Sequence, residues 1–85
     1  MKELPKWFTK QGGKQYTDGA SVSNPFTGSA ITLNANELSI YDFIIGCQVS
    51  RPNNFLKSSE IQKQFRKSLD WFRKANPEAY MVLLD

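Results

Sequence analysis

The chain has 85 residues and a formal net charge of +3, and its composition is 40% hydrophobic, 13% aromatic and 22% charged. This balance excludes a disordered chain and predicts one small folded domain whose core is limited by the short length. With one cysteine and no histidine, the chain cannot form an internal disulfide scaffold, a Cys- or His-based zinc site or a nucleophile activated by histidine.

Residues 1–19 are predicted to form an N-terminal arm and loop without a regular helix. Pro5 removes a backbone donor from this segment, and the glycines and hydroxyl residues that follow position 11 are typical of loops. Because Trp7 and Phe8 are large apolar side chains, we expect the arm to hold both against the body of the domain.

Residues 20–33 predict a β-hairpin in which 20–24 pair with 29–33. Ile31 and Leu33 alternate with a polar residue, as in a strand with one buried face. A hairpin alone is marginal in water, so we expect it to pack on a helix.

The hairpin turn is predicted from its Pro and Gly residues. Pro25 presets the backbone for a type I turn, and Gly28 accepts a positive φ at its close. Asn24-Pro25-Phe26 also matches a short peptide ligand of some eukaryotic adaptor domains, although here the turn explains it.

Residues 35–48 predict a central helix that is apolar on two sides. Asn34 is placed to cap it, with Glu37 completing a capping box. We expect Ser39, Asp42 and Gly46 to occupy a narrow polar strip between two apolar stripes. One stripe contains Leu38, Tyr41, Ile45 and Val49, and the other contains Ile40, Phe43, Ile44 and Cys47. Such a helix must be covered twice, either by this chain alone or with the help of a second copy.

Residues 51–54 are predicted to form a loop, and residues 59–75 a long amphipathic helix. Its expected core stripe is Ile61, Phe65, Leu69 and Phe72. The opposite face is basic and includes Asp70, with Trp71 at its margin and available to stack. The candidate nucleic-acid contacts are Lys63, Arg66, Lys67, Trp71, Arg73 and Lys74. A solvated helix face explains the same pattern, since Lys and Arg are good helix formers.

Residues 77–84 predict a short C-terminal helix. Asn76 is a suitable cap and Pro77 suits the first helical position. The apolar run at 80–84 is also compatible with an edge strand, which stays open as an alternative.

No arrangement of side chains predicts catalysis or a cofactor. The carboxylates lack the spacing of an acid–base pair, and no phosphate-binding glycine motif is present. We therefore predict a protein that is not an enzyme and takes no cofactor or metal. Cys47 is interpreted as a buried structural residue and Asp42 as a solvated one. Neither a secretory signal nor an apolar run of bilayer length is found, so we expect a cytoplasmic protein without membrane contact.

Two strings, VSNPFTGSAITLNANELSIYDFIIG and LDWFRKANPEAYMVLLD, resemble short uncharacterised proteins of marine bacteriophages, particularly those that infect cyanobacteria. The similar elements are an Asn-x-Phe-x-Gly turn, a Leu-Ser-x-Tyr-Asp-Phe-Ile helix and an Asn-Pro-Glu-Ala-Tyr-Met-Val-Leu-Leu-Asp end. The resemblance implies a setting in the cytoplasm of an infected bacterium, and it brings no activity and no functional residues. By analogy, many small proteins of this kind bind a host or phage protein.

These observations predict an α+β domain, predominantly helical, in which an N-terminal β-hairpin packs on about three helices. The predicted function is that of a non-catalytic interaction protein, self-associating as a homodimer and binding a phage or host protein. Its candidate interface is Leu38, Tyr41, Ile45, Val49, Tyr80, Met81 and Leu84. The alternative is a weak nucleic-acid-binding protein that uses the basic face of the 59–75 helix.

Overall fold

A computed structural model describes residues 2–10, 12–50 and 59–84, except for the side chains of residues 49 and 50. Its elements are α1 (Lys6–Lys10), β1 (Ala20–Ser23), β2 (Ala30–Leu33), α2 (Ala35–Ser50), α3 (Ser59–Ala75) and α4 (Pro77–Leu83). The predicted fold class is confirmed, because a two-stranded hairpin packs with helices in one predominantly helical α+β domain. The loop predicted at 51–54 lies outside the described residues.

Helix α1 corrects the prediction of an arm without a helix. Pro5 directly precedes the helix, and its carbonyl accepts hydrogen bonds from the N–H groups of Phe8 and Thr9 at 3.1 and 3.3 Å. A proline costs nothing there, because N–H groups at a helix start have no helical partner in any case. The expected packing of Trp7 and Phe8 is confirmed. Phe8 is buried, and the ring of Trp7 meets that of Phe43 edge-on, with 5.6 Å between centroids.

The hairpin pairs β1 with β2 in an antiparallel register that places Ala20 opposite Leu33 and Ser23 opposite Ala30. Leu33 is fully buried, which anchors one end of the hairpin in the core. At the other end, the Asn24 N–H donates to the Ser29 carbonyl at 2.8 Å. Gly28 adopts a φ of +78°, the positive value expected where the turn closes.

The predicted capping box of α2 is confirmed. The Asn34 N–H donates to Glu37 Oε1 at 3.1 Å, and the Glu37 N–H donates to Asn34 Oδ1 at 2.9 Å. Helix α2 continues to Ser50, two residues beyond the predicted end.

The prediction that Ser39 lies on a polar strip is wrong. Ser39 is buried, although Asp42 and Gly46 are exposed as expected. The Ser39 hydroxyl donates to the Ala35 carbonyl at 2.8 Å and accepts from the Tyr16 N–H at 2.9 Å. Because both bonds satisfy the hydroxyl, it is buried without an unpaired polar group, and it holds the N-terminal loop against α2.

The chain itself covers both apolar sides of α2. Phe43 packs against Trp7 and Phe8 of α1. Tyr41 faces α3, where its ring lies 6.0 Å from that of Phe72 between centroids. Ile40 and Ile44 are fully buried between these two contacts. The double covering therefore does not require a second copy.

The buried face of α3 is displaced from the predicted stripe. Ser68, Trp71 and Phe72 are buried, whereas Ile61, Phe65 and Leu69 are half-buried. Serine enters the core because its hydroxyl donates to the Gln64 carbonyl at 2.8 Å. Such a bond within the helix removes the need for an outside partner.

Helix α4 settles the C-terminal segment as a helix, so the edge-strand alternative is wrong. The Asn76 side chain accepts from the Ala79 N–H at 3.1 Å, which caps the helix as predicted. The same side chain donates through Nδ2 to Glu37 Oε1 at 3.2 Å. The N-terminal ends of α2 and α4 are therefore joined by one shared hydrogen-bonded group.

Candidate functional site

The predicted interface does not form a free apolar face. Leu38, Tyr41, Tyr80 and Leu84 are half-buried and pack against the core cluster. Ile45 is half-buried, and the side chain of Val49 lies outside the described residues. Met81, at 62% exposure, is the member of this set that stands well out in solvent.

A different apolar surface lies at the hairpin turn. Phe26 is 95% exposed, so nearly the whole ring is in solvent. Its backbone is held, because the Phe26 N–H donates to Asn24 Oδ1 at 2.8 Å and the Gly28 N–H donates to the Asn24 carbonyl at 2.8 Å. The ring thus projects from an ordered turn, and its exposure is not the consequence of a loose loop.

Asn24 also brings the turn to α4. Its Nδ2 donates to the Val82 carbonyl at 3.0 Å. Val82 directly follows Met81 in the chain. Among the described residues, Phe26 and Met81 are the large hydrophobic side chains that are exposed, and this one hydrogen bond joins the segments that carry them. We call the exposed ring of Phe26, together with its turn, the tip surface.

Helix α3 accounts for the net positive charge of the protein. The helix carries five Lys or Arg and two Asp or Glu, so its net charge of +3 equals that of the whole chain. Lys63, Arg66 and Lys67 are exposed, and within the described part of the chain they form no salt bridge.

Asp70 neutralises part of the basic face of α3. Its carboxylate lies 3.0 Å from Lys74 Nζ and 3.2 Å from Arg73 Nη2. The hydrogen bond from Lys74, together with that from Arg73 and the charges of both, holds the pKa of Asp70 below its ordinary value. The other cations of the face stay available for an anionic ligand.

The structure contradicts the role predicted for Trp71. It is 8% exposed and belongs to the core cluster. Its indole N–H donates to the Glu3 carbonyl at 2.9 Å, which fixes the N-terminal segment to α3. Trp71 is therefore unable to stack on a base, because the N-terminal segment covers the side of α3 on which it lies.

A cleft of about 190 Å³ opens beside the basic face, between α3 and α4. Arg66, Leu69, Asp70 and Arg73 line it from α3, and Tyr80 lines it from α4. Leu69 and Tyr80 are half-buried and supply the apolar walls. The cleft thus combines an aromatic ring, two guanidinium groups and a carboxylate.

Within the described ranges, no group of three or more His, Cys, Asp or Glu residues is placed to hold a metal ion. Cys47 is buried, and burial raises the pKa of its thiol. No described helix is long and apolar enough to cross a membrane.

The elements and surfaces together define a small α+β domain with an apolar tip and a basic helix face. Comparisons with protein-family models, with curated proteins and with solved structures give no match for this chain.

The sequence pointed to Phe26 only within the Asn24-Pro25-Phe26 match, which the turn explained, and it did not indicate that Tyr80 shares a cleft with the arginines. A signal for Phe26 was present, because the middle of a tight turn projects outward and an aromatic residue there has nothing local to cover it. Tyr80 carried no such signal, since its distance from α3 depends on how α4 folds back on that helix.

Proposed function

We propose that this protein is a non-catalytic interaction protein that binds another protein through the tip surface. The observation that carries the proposal is the 95% exposure of Phe26 on an ordered turn. Rigid aromatic side chains are enriched among the residues that dominate protein-binding energy, because they bury a large area and lose little conformational freedom.

The size of the tip surface supports insertion into a partner's pocket. A phenylalanine supplies about 150–250 Å² of burial, whereas a standard interface takes about 800 Å² from each partner. Two such tips pressed together would fall short of that area. A pocket that encloses Phe26 and contacts the surrounding turn reaches it more readily.

The nature of the partner rests on the resemblance to marine bacteriophage proteins. That resemblance supports a phage or host protein as the partner and the cytoplasm of an infected bacterium as the setting. Self-association as a homodimer stays a prediction. Light scattering after size exclusion tests it, with a mass near twice 9.7 kDa as the expected result for a dimer.

The tip proposal is tested by site-specific crosslinking in host lysate. A photoreactive phenylalanine analogue replaces Phe26 in one variant, and in a matched control it replaces Thr32, which is exposed on β2. We expect one partner protein to crosslink from position 26 and not from position 32. The partner is then purified, and its Kd is measured for the wild type and for F26S.

The expected effect of F26S is a Kd increase of about 30-fold or more, the range of a binding hot spot. The free energy of unfolding should stay within about 0.5 kcal/mol of wild type, because the replaced ring makes no core contact. Equal Kd values for F26S and the wild type would contradict the proposal. Crosslinks solely between copies of this chain would reject a heterologous partner in favour of the homodimer.

A second candidate function is weak nucleic-acid binding by α3. It is supported by the concentration of the whole net charge on this helix. Three cations of α3 form no salt bridge with the part of the chain that the structure describes, so log K against log salt should fall with a slope of about −2 for a single strand. The variant R66E/K67E should lose binding, whereas K2E/K6E, with the same change in net charge, should keep it. No binding at low salt, or equal loss in both variants, would reject this function.

A further inference from the structure

We infer that the cleft between α3 and α4 is a nucleobase site for a single-stranded nucleic acid, with Tyr80 as the stacking residue. The inference rests on the second proposed function, and it assigns the aromatic role to a residue on α4. Tyr80 lines the cleft together with Arg66 and Arg73, so one aromatic residue and two arginines border the same space.

The spacing of the α3 residues builds one side of the site. Positions 66, 69, 70 and 73 are separated by three and four residues, so they share one face of the helix. Leu69 is half-buried and forms an apolar wall, while the guanidinium groups stand at 66 and 73. The guanidinium group of Arg66 forms no salt bridge within the described part of the chain, and it is planar and donates hydrogen bonds in a fork that suits a phosphate. Arg73 lies at the other end of this face, with its Nη2 on Asp70.

Asp70 fits the same ligand. Its carboxylate has more acceptor positions than the contacts with Lys74 and Arg73 use. A nucleobase carries N–H donors on its edge, which an acceptor inside the cleft can pair. A bare inorganic anion would leave the wall of Leu69 and Tyr80 uncovered. The mixed lining therefore favours a planar ring with polar edges joined to a phosphate.

The cations beyond the cleft favour a polymer over a free nucleotide. Lys63 and Lys67 are exposed on α3, and the helix rises about 16 Å between residues 63 and 74. This stretch is longer than one nucleotide, so phosphates on either side of the seated base have partners as well. A single strand is required because paired bases in a duplex are stacked on each other and cannot enter a cleft between two helices.

The test compares two substitutions at Tyr80 by fluorescence anisotropy with a labelled single-stranded oligonucleotide at low salt. Y80F keeps the ring and removes the hydroxyl, whereas Y80L keeps an apolar side chain for the core and removes the stacking surface. We expect Y80F to bind within about twofold of wild type and Y80L to bind about 5-fold or more weakly, the loss typical of one stacked base. Circular dichroism and thermal melting establish that both variants are folded before they are compared.

Two further arms separate the outcomes. A duplex of the same sequence should bind more weakly than the single strand, and a free mononucleotide should compete only at much higher concentration. If the single strand binds and Y80L equals wild type, the nucleobase site is rejected while nucleic-acid binding by α3 stands. Duplex binding as tight as single-strand binding also rejects the site. If nothing binds at low salt, both the site and the second proposed function are rejected.

Discussion

Replacement of Glu37 by Ala is predicted to destabilise the domain strongly, because one carboxylate serves two helix ends. Glu37 is 7% exposed. Its Oε1 accepts from the Asn34 N–H at 3.1 Å and from Asn76 Nδ2 at 3.2 Å. Asn76 in turn caps α4 through the Ala79 N–H. Loss of Glu37 therefore removes half of one capping box and releases the cap residue of another helix.

The magnitude follows from these two bonds. A hydrogen bond to a charged group contributes about 1.5–3 kcal/mol, and the better helix propensity of Ala returns a few tenths of a kcal/mol. Two such bonds less this propensity gain give an expected loss of about 3–5 kcal/mol of unfolding free energy for E37A. At about 4–8 °C per kcal/mol for a domain of this size, Tm should fall by roughly 12–40 °C.

The assay is urea and thermal unfolding followed by circular dichroism, with E37Q as the matched control. E37Q keeps a side-chain oxygen for both donors but removes the charge, so it should lose about half as much as E37A. N76S keeps a capping oxygen and removes the amide donor, and a cycle with E37A should give a coupling of about 0.5–1.5 kcal/mol. A loss below about 0.5 kcal/mol for E37A, or no coupling with N76S, would contradict a stabilising role of the Glu37 carboxylate at both helix ends.

Two other predictions concern backbone space and pH. In urea titrations G46A should gain about 0.5–1 kcal/mol of unfolding free energy, because Gly46 is helical and an added Cβ meets nothing within 4 Å. G19A should lose about 1–3 kcal/mol of unfolding free energy, because its Cβ would collide with the Leu33 carbonyl oxygen. Equal effects of the two substitutions would contradict both predictions. Lys74 and Arg73 lower the pKa of Asp70 in the fold. The Asp70 carboxylate therefore stabilises the fold above its unfolded pKa, and this contribution is lost as the pH falls through the folded pKa. The stability difference between wild type and D70N should therefore be present at pH 7 and shrink in acid, and a difference that grows on acidification would contradict the ion-pair origin.

Local chemistry made several elements predictable from the sequence. The capping box of α2 and the cap of α4 depend on side chains within three residues of each other, so their spacing in the sequence is their spacing in space. The hairpin likewise follows from alternation and a turn of Pro and Gly. Pro5 was misread because its effect depends on whether it lies inside a helix or just before one.

Contacts between segments that are distant in the chain could not be predicted from the sequence. Trp71 is 68 residues from Glu3 in the chain, yet Glu3 accepts the hydrogen bond that lets the indole be buried. Ser39 is buried because a partner 23 residues away donates to it. A polar group is buried in a core only where a hydrogen-bond partner lies within reach, and a periodic pattern of apolar residues does not show where that partner is.

From the residues alone we could predict the class of the domain, the helix caps, the hairpin turn and the accumulation of positive charge on α3. Each of these depends on residues that are neighbours in the chain. Which apolar residues remain exposed depends instead on how the elements pack. The N-terminal segment covers Trp71, α1 and α3 cover the two sides of α2, and the bond from Asn24 to Val82 joins the hairpin turn to α4. Exposure is a property of the whole packed chain, because a side chain is buried or free according to what folds over it.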